Sequence, residues 1–269
     1  MGERAAIVPR LMKNHRITIN QLVVFFNSGG LFVLIYYLPI YFQSVRNDTP
    51  IQSGVYNLPF HIGGIFSMAS GFVLGSTNQW VPYLIGSAAL SAVGSGLIYT
   101  FTPDTLTATW AGYQILAGAA TGFLSQLPIM SNTACVDMTE MSTMSAMTLF
   151  FQIIGCSFSV SAAQSIFGNT LPKRLAETAP EIDRTTILSV GASQLRNTFS
   201  EQQLPVVILA YMDALKGTFA LATAMFAISA LLAVMHKWEA LRTEVPVDIA
   251  APEKHIAVAS ASIRSADAV

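Results

Sequence analysis

Charge is scarce in this sequence. Of its 269 residues only 11 % are Asp, Glu, Lys or Arg, while 52 % are hydrophobic. An average soluble domain carries about 25 % charged residues. A soluble globule with so few charges could not cover its surface, so much of the surface is expected to face lipid. The formal net charge is -1, and no Lys/Arg run is present to track a phosphate backbone, which argues against a nucleic-acid partner. Cysteine is equally sparse: Cys135 and Cys156 make no disulfide framework. The histidines, His15, His61, His236 and His255, show no metal-ligand spacing, so neither a metal nor a cofactor is expected. No HExxH, GxSxG, Walker A or strand-borne GxGxxG pattern is present. The apolar stretches offer no convincing nucleophile–base pair, so an enzyme is not expected. A cleavable signal peptide is also missing. Met1 to Arg16 is basic and broken by Pro9, with no compact apolar core.

What is present is a series of charge-free intervals. A charge at the bilayer centre costs at least about 2.5–3.5 kcal/mol on insertion scales, and a span needs about 20 apolar residues. The intervals predict an all-α, polytopic transmembrane bundle of about six spans. They run roughly from Ile19 to Phe42, Tyr56 to Gly75, Trp80 to Phe101, Ala108 to Ile129, Ser145 to Phe167 and Lys216 to Lys237. The polar run Ser76-Thr77-Asn78-Gln79 separates the second from the third. Tyr36, Tyr37, Tyr41, Trp80, Tyr99, Trp110 and Trp238 fall near the proposed ends, as an interfacial aromatic belt would.

The organisation that follows is a cytoplasmic N-terminal segment at 1–18, a membrane domain at 19–241 and a disordered tail at 242–269. A long outer loop is expected at about 168–209, with a short surface helix within Thr185 to Phe199. Arg4, Arg10, Lys13 and Arg16 precede the first span, and Lys237, Arg242, Lys254 and Arg264 follow the last. An even number of spans with both ends basic puts both termini in the cytoplasm. Asn47-Asp48-Thr49 is a glycosylation sequon on the predicted outer side.

Polar residues inside the spans are the candidates for function. An amide in lipid must find a partner, so Asn27, Gln114, Gln126, Gln152 and Gln164 should face the bundle interior or a cavity. Gln114, Gln152 and Asn27 are the candidates for lining a substrate cavity. Interhelical hydrogen bonding is the alternative for each. His61 lies near a helix end, where a lone histidine is more often a satisfied interior residue. Gly71 and Gly75, and Gly118 and Gly122, are spaced four apart and would let helices approach closely. No Asp or Glu lies within the spans, so no proton site is evident.

Several blocks in order resemble one family. They are Gly2-Glu3-Arg4-Ala5, Pro9-Arg10, Tyr36-Tyr37-Leu38-Pro39-Ile40-Tyr41-Phe42-Gln43-Ser44-Val45-Arg46 and Pro50-Ile51-Gln52-Ser53-Gly54-Val55 with Leu58-Pro59. Further on come Gly112-Tyr113-Gln114-Ile115-Leu116-Ala117-Gly118, Phe150-Phe151-Gln152, Gln164-Ser165-Ile166-Phe167-Gly168-Asn169 and Ala210-Tyr211-Met212-Asp213-Ala214-Leu215. The sequence is similar in these blocks to fungal major facilitator transporters of the fourteen-spanner drug:proton antiporter branch, which includes mycotoxin and multidrug efflux pumps. The resemblance covers nearly all of the chain up to about Leu241. It implies the last six of fourteen spans, hence one six-helix half of a major facilitator fold in the plasma membrane. Met1 then falls in mid-chain of a full-length relative, which implies a truncated gene, a misplaced start or half of a split transporter. The implied function is part of a secondary, proton-coupled efflux transporter for small hydrophobic metabolites, toxins or drugs. The implied partners are the lipid bilayer, a small hydrophobic substrate and a second half-transporter or second copy. The alternative is a non-transporting remnant or a modulator of a complete transporter. The topology is testable directly: a tag fused after Val269 is expected to be reached by antibody only in permeabilised cells, and labelling in intact cells would refute the even-span arrangement.

Overall fold

The structure, a computed structural model, describes residues 8–65, 79–182, 187 and 190–236. Among these, nine helices form and no strand does. They are α1 (Pro9–Met12), α2 (His15–Ser44), α3 (Pro50–Tyr56), α4 (Leu58–Ile65), α5 (Val81–Tyr99), α6 (Thr107–Thr133), α7 (Met141–Thr178), α8 (Leu195–Thr198) and α9 (Leu204–Val234). Four of them, α2, α5, α7 and α9, are long and apolar enough to cross a membrane by length and composition. The 27-residue α6 is about 40 Å long at 1.5 Å per residue, enough to cross a hydrocarbon core of about 30 Å, but richer in Thr, Ser and Gln. The expected second span begins as two helices, α3 and α4, meeting at Asn57. Its remainder, with Gly71 and Gly75, lies outside the described residues, as does the predicted tail at 242–269.

Helix α2 is the hub. An arc of α4, α6, α5, α9 and α7, each packed on the next, surrounds it, and α2 itself packs on α6, α7 and α9. One continuous apolar core results, built from Tyr37, Leu38 and Phe42 of α2 with Leu84, Trp110, Leu124, Phe219 and Phe226 of its neighbours. Backbones come close where side chains vanish. A Cβ on Gly118 of α6 would collide with the backbone carbonyl of Phe60 in α4. A Cβ on Gly155 of α7 would strike the Phe25 carbonyl in α2, and one on Gly29 would strike the Ser159 side chain. At the same crossing the Ser28 hydroxyl donates to the Gln152 carbonyl at 3.0 Å.

Two expected boundaries move. Helix α7 runs for 38 residues, about 57 Å, so the segment expected to leave the bilayer at 168 stays helical to Thr178. Helix α9 begins at Leu204, ahead of Asp213 and Lys216. The two overhangs pack on each other: Leu171 and Leu175 of α7, Val207 and Tyr211 of α9, and Leu195 and Phe199 around α8 form a separate apolar cluster. Arg174 reaches Asp213 across them at 3.2 Å. Burial of this second core favours helix continuing past the first charge of each overhang. Of the surface helix expected within Thr185 to Phe199, the described residues form α8 alone.

The aromatic belt is also revised. Tyr36 and Tyr99 are exposed, but Tyr37, Tyr41, Trp80 and Trp110 are buried in the bundle. They sit at the expected depth yet face helix seams. Phe42 packs edge-on to Trp110 at 5.0 Å between centroids, and the Tyr41 hydroxyl donates to the Thr102 carbonyl at 2.7 Å. At this distal end Arg46 donates to the Thr105 carbonyl at 2.7 Å and lies 3.7 Å from Asp48. Burial pushes the Asp48 carboxyl up, and Arg46 pulls it partly back.

The opposite, basal end gathers both described termini. Asn20 of α2 donates to Asn132 of α6 at 2.9 Å and to Ser131 at 3.2 Å. Gln21 donates to Thr148 of α7 at 3.1 Å, and Asn132 reaches the same hydroxyl at 3.3 Å. Arg16 donates to Ser131 at 3.1 Å and lies 4.6 Å above the Trp80 ring, a cation–π contact. Trp80 also meets the His236 ring edge-on at 4.8 Å. Arg10 of α1 pairs with Glu140 at the entry to α7, and Val8 and Leu11 pack on Met144 and Met147.

Two measurements test this packing. Gly118→Leu is expected to part α4 from α6 and to cost about 1–3 kcal/mol, read as a lower thermal midpoint of the purified protein. Gly112→Ala, where a Cβ meets open space, should leave the midpoint level or slightly higher. The second concerns pH. Burial first, then Arg16 and His15, lower the His236 imidazole from 6.5 to about 4. The unfolded chain therefore binds a proton that the folded chain refuses between those values. Stability is unaffected above about pH 6.5 and falls as the pH drops toward about 4. His236→Gln should flatten that acid loss in a series of melts, and an unchanged loss would refute the assignment.

Candidate functional site

Near the middle of α2 the bundle leaves a cavity of about 180 Å³ between α2, α4 and α6. Leu31 and Ile35 of α2 and Phe60 of α4 supply apolar walls, and His61, Thr121 and Ser125 supply polar ones. Gly118 and Gly122 line it as well. The small residues of α6 that admit α4 thus also leave the space. None of the described residues that line it is charged. Asn27 stands at its edge, donating from Nδ2 to the Ser125 hydroxyl at 2.9 Å, and Ser125 in turn donates to the Thr121 carbonyl at 2.7 Å. The Asn27 Oδ1 is buried and has no hydrogen-bond partner among the described residues. An apolar pocket with a few convergent polar groups suits a small neutral molecule. Among the described residues no cluster of His, Cys, Asp or Glu could hold a metal.

The expected site residues separate. Asn27 does not line the cavity itself but bonds to Ser125, which does. Gln114 lies on α6 one turn from Gly118 but is completely buried, so it sits inside the core rather than on a cavity wall. Neither of its amide atoms has a hydrogen-bond partner among the described residues, nor does Trp110 Nε1 one turn away. The reason is helical phase: Gln114 shares a face with Trp110 and Gly118, the face that α6 turns to its neighbours. Gln152 is partly buried on α7, and its backbone carbonyl is what meets α2. Gln126 is exposed. Gln164 accepts from the Tyr37 hydroxyl at 3.0 Å. Asn47 is exposed at the distal turn with φ 62°, a left-handed conformation that Asn tolerates. Its sequon partner Thr49 caps α3 through a reciprocal pairing with Gln52.

Sequence reasoning passed over Asn20, Gln21 and Asn132, which are fully buried in the basal network. Their signal was an amide pair just after the last cation of the N-terminal segment, and an Asn three residues beyond the expected end of the fourth span.

With this geometry in hand, the comparisons with known proteins are direct. No protein-family profile matches the chain. An MFS-type transporter of Pestalotiopsis microspora is 39 % identical over 243 residues, covering 90 % of this chain and 44 % of its own length. A probable efflux pump of Penicillium aethiopicum is 39 % identical over 240 residues, covering 89 % of this chain and 43 % of its own length. An MFS-type efflux pump of Trichophyton rubrum is 34 % identical over 242 residues, covering 90 % of this chain and 45 % of its own. The chain thus spans less than half the length of these curated relatives. A solved bacterial homologue of the human lysosomal transporter Spinster, inward-facing and occupied, superposes with a TM-score of 0.60 at 15 % identity. That match covers 82 % of this chain and 48 % of the other, and it concerns the fold alone. These relatives are transporters and not enzymes, and with the long apolar helices they make this an integral, multi-pass membrane protein. Over nine-tenths of its length the chain is similar to fungal MFS-type transporters and efflux pumps.

Proposed function

We propose that this chain forms one six-helix half of a proton-coupled efflux transporter, the half equivalent to the last six of fourteen spans. Its α2–α4–α6 cavity then forms part of one wall of a path for small hydrophobic metabolites, toxins or drugs. The observation that carries this reading is the uncharged cavity beside Asn27 near the middle of α2. Transporters of this architecture hold substrate near the bilayer midplane, between two bundles that rock about it. An uncharged wall with an amide, two hydroxyls and an imidazole favours neutral, largely apolar cargo. Asn27 contacts that cargo, and Gln152, on the partly exposed side of α7, is the second contact. Gln114 acts through the position of α6. Proton coupling falls to the other half: the carboxylates on the described long helices, Glu177 of α7 and Asp213 of α9, sit in the distal overhangs, away from the cavity. In the plasma membrane the basal end is cytoplasmic, as the cations before α2 favour.

One bundle cannot open to one side while closing the other, so residues 1–269 expressed alone in efflux-deficient yeast should give no resistance to a panel of hydrophobic toxins. A chimera in which they replace the matching half of the Pestalotiopsis transporter should restore resistance. Within the chimera, Asn27→Leu and Gln152→Leu are expected to change which toxins are tolerated while membrane abundance stays level. Resistance from the single half at confirmed surface expression would refute the half-transporter reading. Loss of abundance in parallel with resistance would make the amides packing groups only.

A further inference from the structure

A second cavity lies on the other side of α2. It measures about 190 Å³ and opens toward the distal end between α2, α7 and α9. Tyr36, Tyr37 and Ile40 come from α2, Gln164 and Phe167 from α7, and Tyr211 from α9. Leu171 of α7 and, beyond it, Ile187, Val190 and Ala192 also line it. Three stretches of sequence far apart in the chain therefore meet at one place. The two cavities share no lining residue, and the helical phase of α2 separates them: Leu31 and Ile35 face α4 and α6, whereas Tyr37 faces α7.

The lining is specific in chemistry. Its rings form a connected series, with Tyr36 against Tyr37 at 5.1 Å, Tyr37 against Phe167 at 5.6 Å and Phe167 against Tyr211 at 5.7 Å. Such a series offers π-faces and edges to a flat guest. Gln164 accepts the Tyr37 hydroxyl through Oε1, which fixes the amide so that its two N–H donors point elsewhere. Gln164 and Tyr36 are both exposed, so the amide N–H and the Tyr36 hydroxyl are available to an incoming acceptor. None of the described lining residues is charged, so they offer an ionic guest no partner. The volume slightly exceeds that of a cavity of about 150 Å³ known to take benzene. We infer that this distal cavity is a binding site for a neutral, planar aromatic molecule of one or two rings carrying a hydroxyl or carbonyl acceptor. It is separate from the cavity between α2, α4 and α6. The ring stacks against Tyr36 and Phe167, and the acceptor takes the Gln164 amide N–H. The inference does not rest on transport, since binding to this bundle is measured without it.

The test uses the full chain in phosphatidylcholine nanodiscs, with 2-naphthol as the probe and its own fluorescence as the signal. Saturable binding is expected. Gln164→Leu should weaken it roughly five- to tenfold, the worth of one or two hydrogen bonds, and Ile40→Trp should abolish it by filling the cavity. Gly122→Val, which narrows the other cavity, should leave it unchanged. Thermal melts of each variant establish that it is folded, and Tyr36→Leu serves in place of any that is not, with the same expected weakening. Non-saturable uptake equal to that of empty nanodiscs would mean partition into lipid and would overturn the assignment. So would saturable binding that Gly122→Val removes, or that is indifferent to both Gln164→Leu and Ile40→Trp.

Discussion

A hydrocarbon environment supplies no hydrogen bonds, so every polar group that enters it must be satisfied by the protein itself. The arrangement around α2 follows from that constraint. This helix carries four amides, Asn20, Gln21, Asn27 and Gln43, on a stem that is otherwise apolar, and it packs against three long neighbours. Three of those amides find partners on a neighbouring helix: Asn20 on α6, Gln21 on α7 and Asn27 on α6. The fourth, Gln43, finds Ser53 of α3. Hydroxyls are treated differently. Ser91, Thr121, Ser125 and Thr148 each donate back to the carbonyl four residues earlier in their own helix. That local bond frees them from needing a neighbour. Amides, with two donors and an acceptor, cannot be satisfied this way, and so they determine which helices must touch and at what height.

Much of this was legible before any coordinates. The charge-free intervals located five of the long helices because a buried charge is expensive and its absence easy to see. Gly118 was singled out by spacing, and it lies where α4 and α6 backbones meet. What the sequence left unread has a common cause. Span boundaries were drawn from the first charge, but a charge outside the membrane does not end a helix. Lys173 and Arg174 ride on α7, and Asp213 and Lys216 ride on α9, because the overhangs bury Leu171, Leu175, Val207 and Tyr211 against each other. Likewise an aromatic near a span end can serve the interface or a seam between helices. Depth cannot distinguish the two; only the facing residue can, as Phe42 does for Trp110.

The same limit governs the site. Composition marks an amide as polar in an apolar stretch, but not the face of the helix it occupies. Asn27 and Gln114 looked alike in sequence. In the fold one edges a cavity and is bonded to Ser125, while the other is sealed in the core. The phase of each helix decides the difference, and that phase is set by long-range packing, here by the glycines that let α4 lie on α6.

Gln114 marks where the packing of α6 is least satisfied among the described residues. A buried amide without a partner destabilises the conformation that holds it, by about 1–3 kcal/mol for each lost group. Trp110 Nε1 is in the same condition one turn away. The basal network, by contrast, ties α2 to α6 and α7 through Asn20, Asn132 and Thr148. Helix α6 is thus held at its basal end and left with unspent hydrogen-bonding capacity toward its distal end. Between these two ends, Gly118, Thr121 and Ser125 lie on α6 and line the cavity beside Asn27, so the packing of this helix along its length fixes one wall of that cavity.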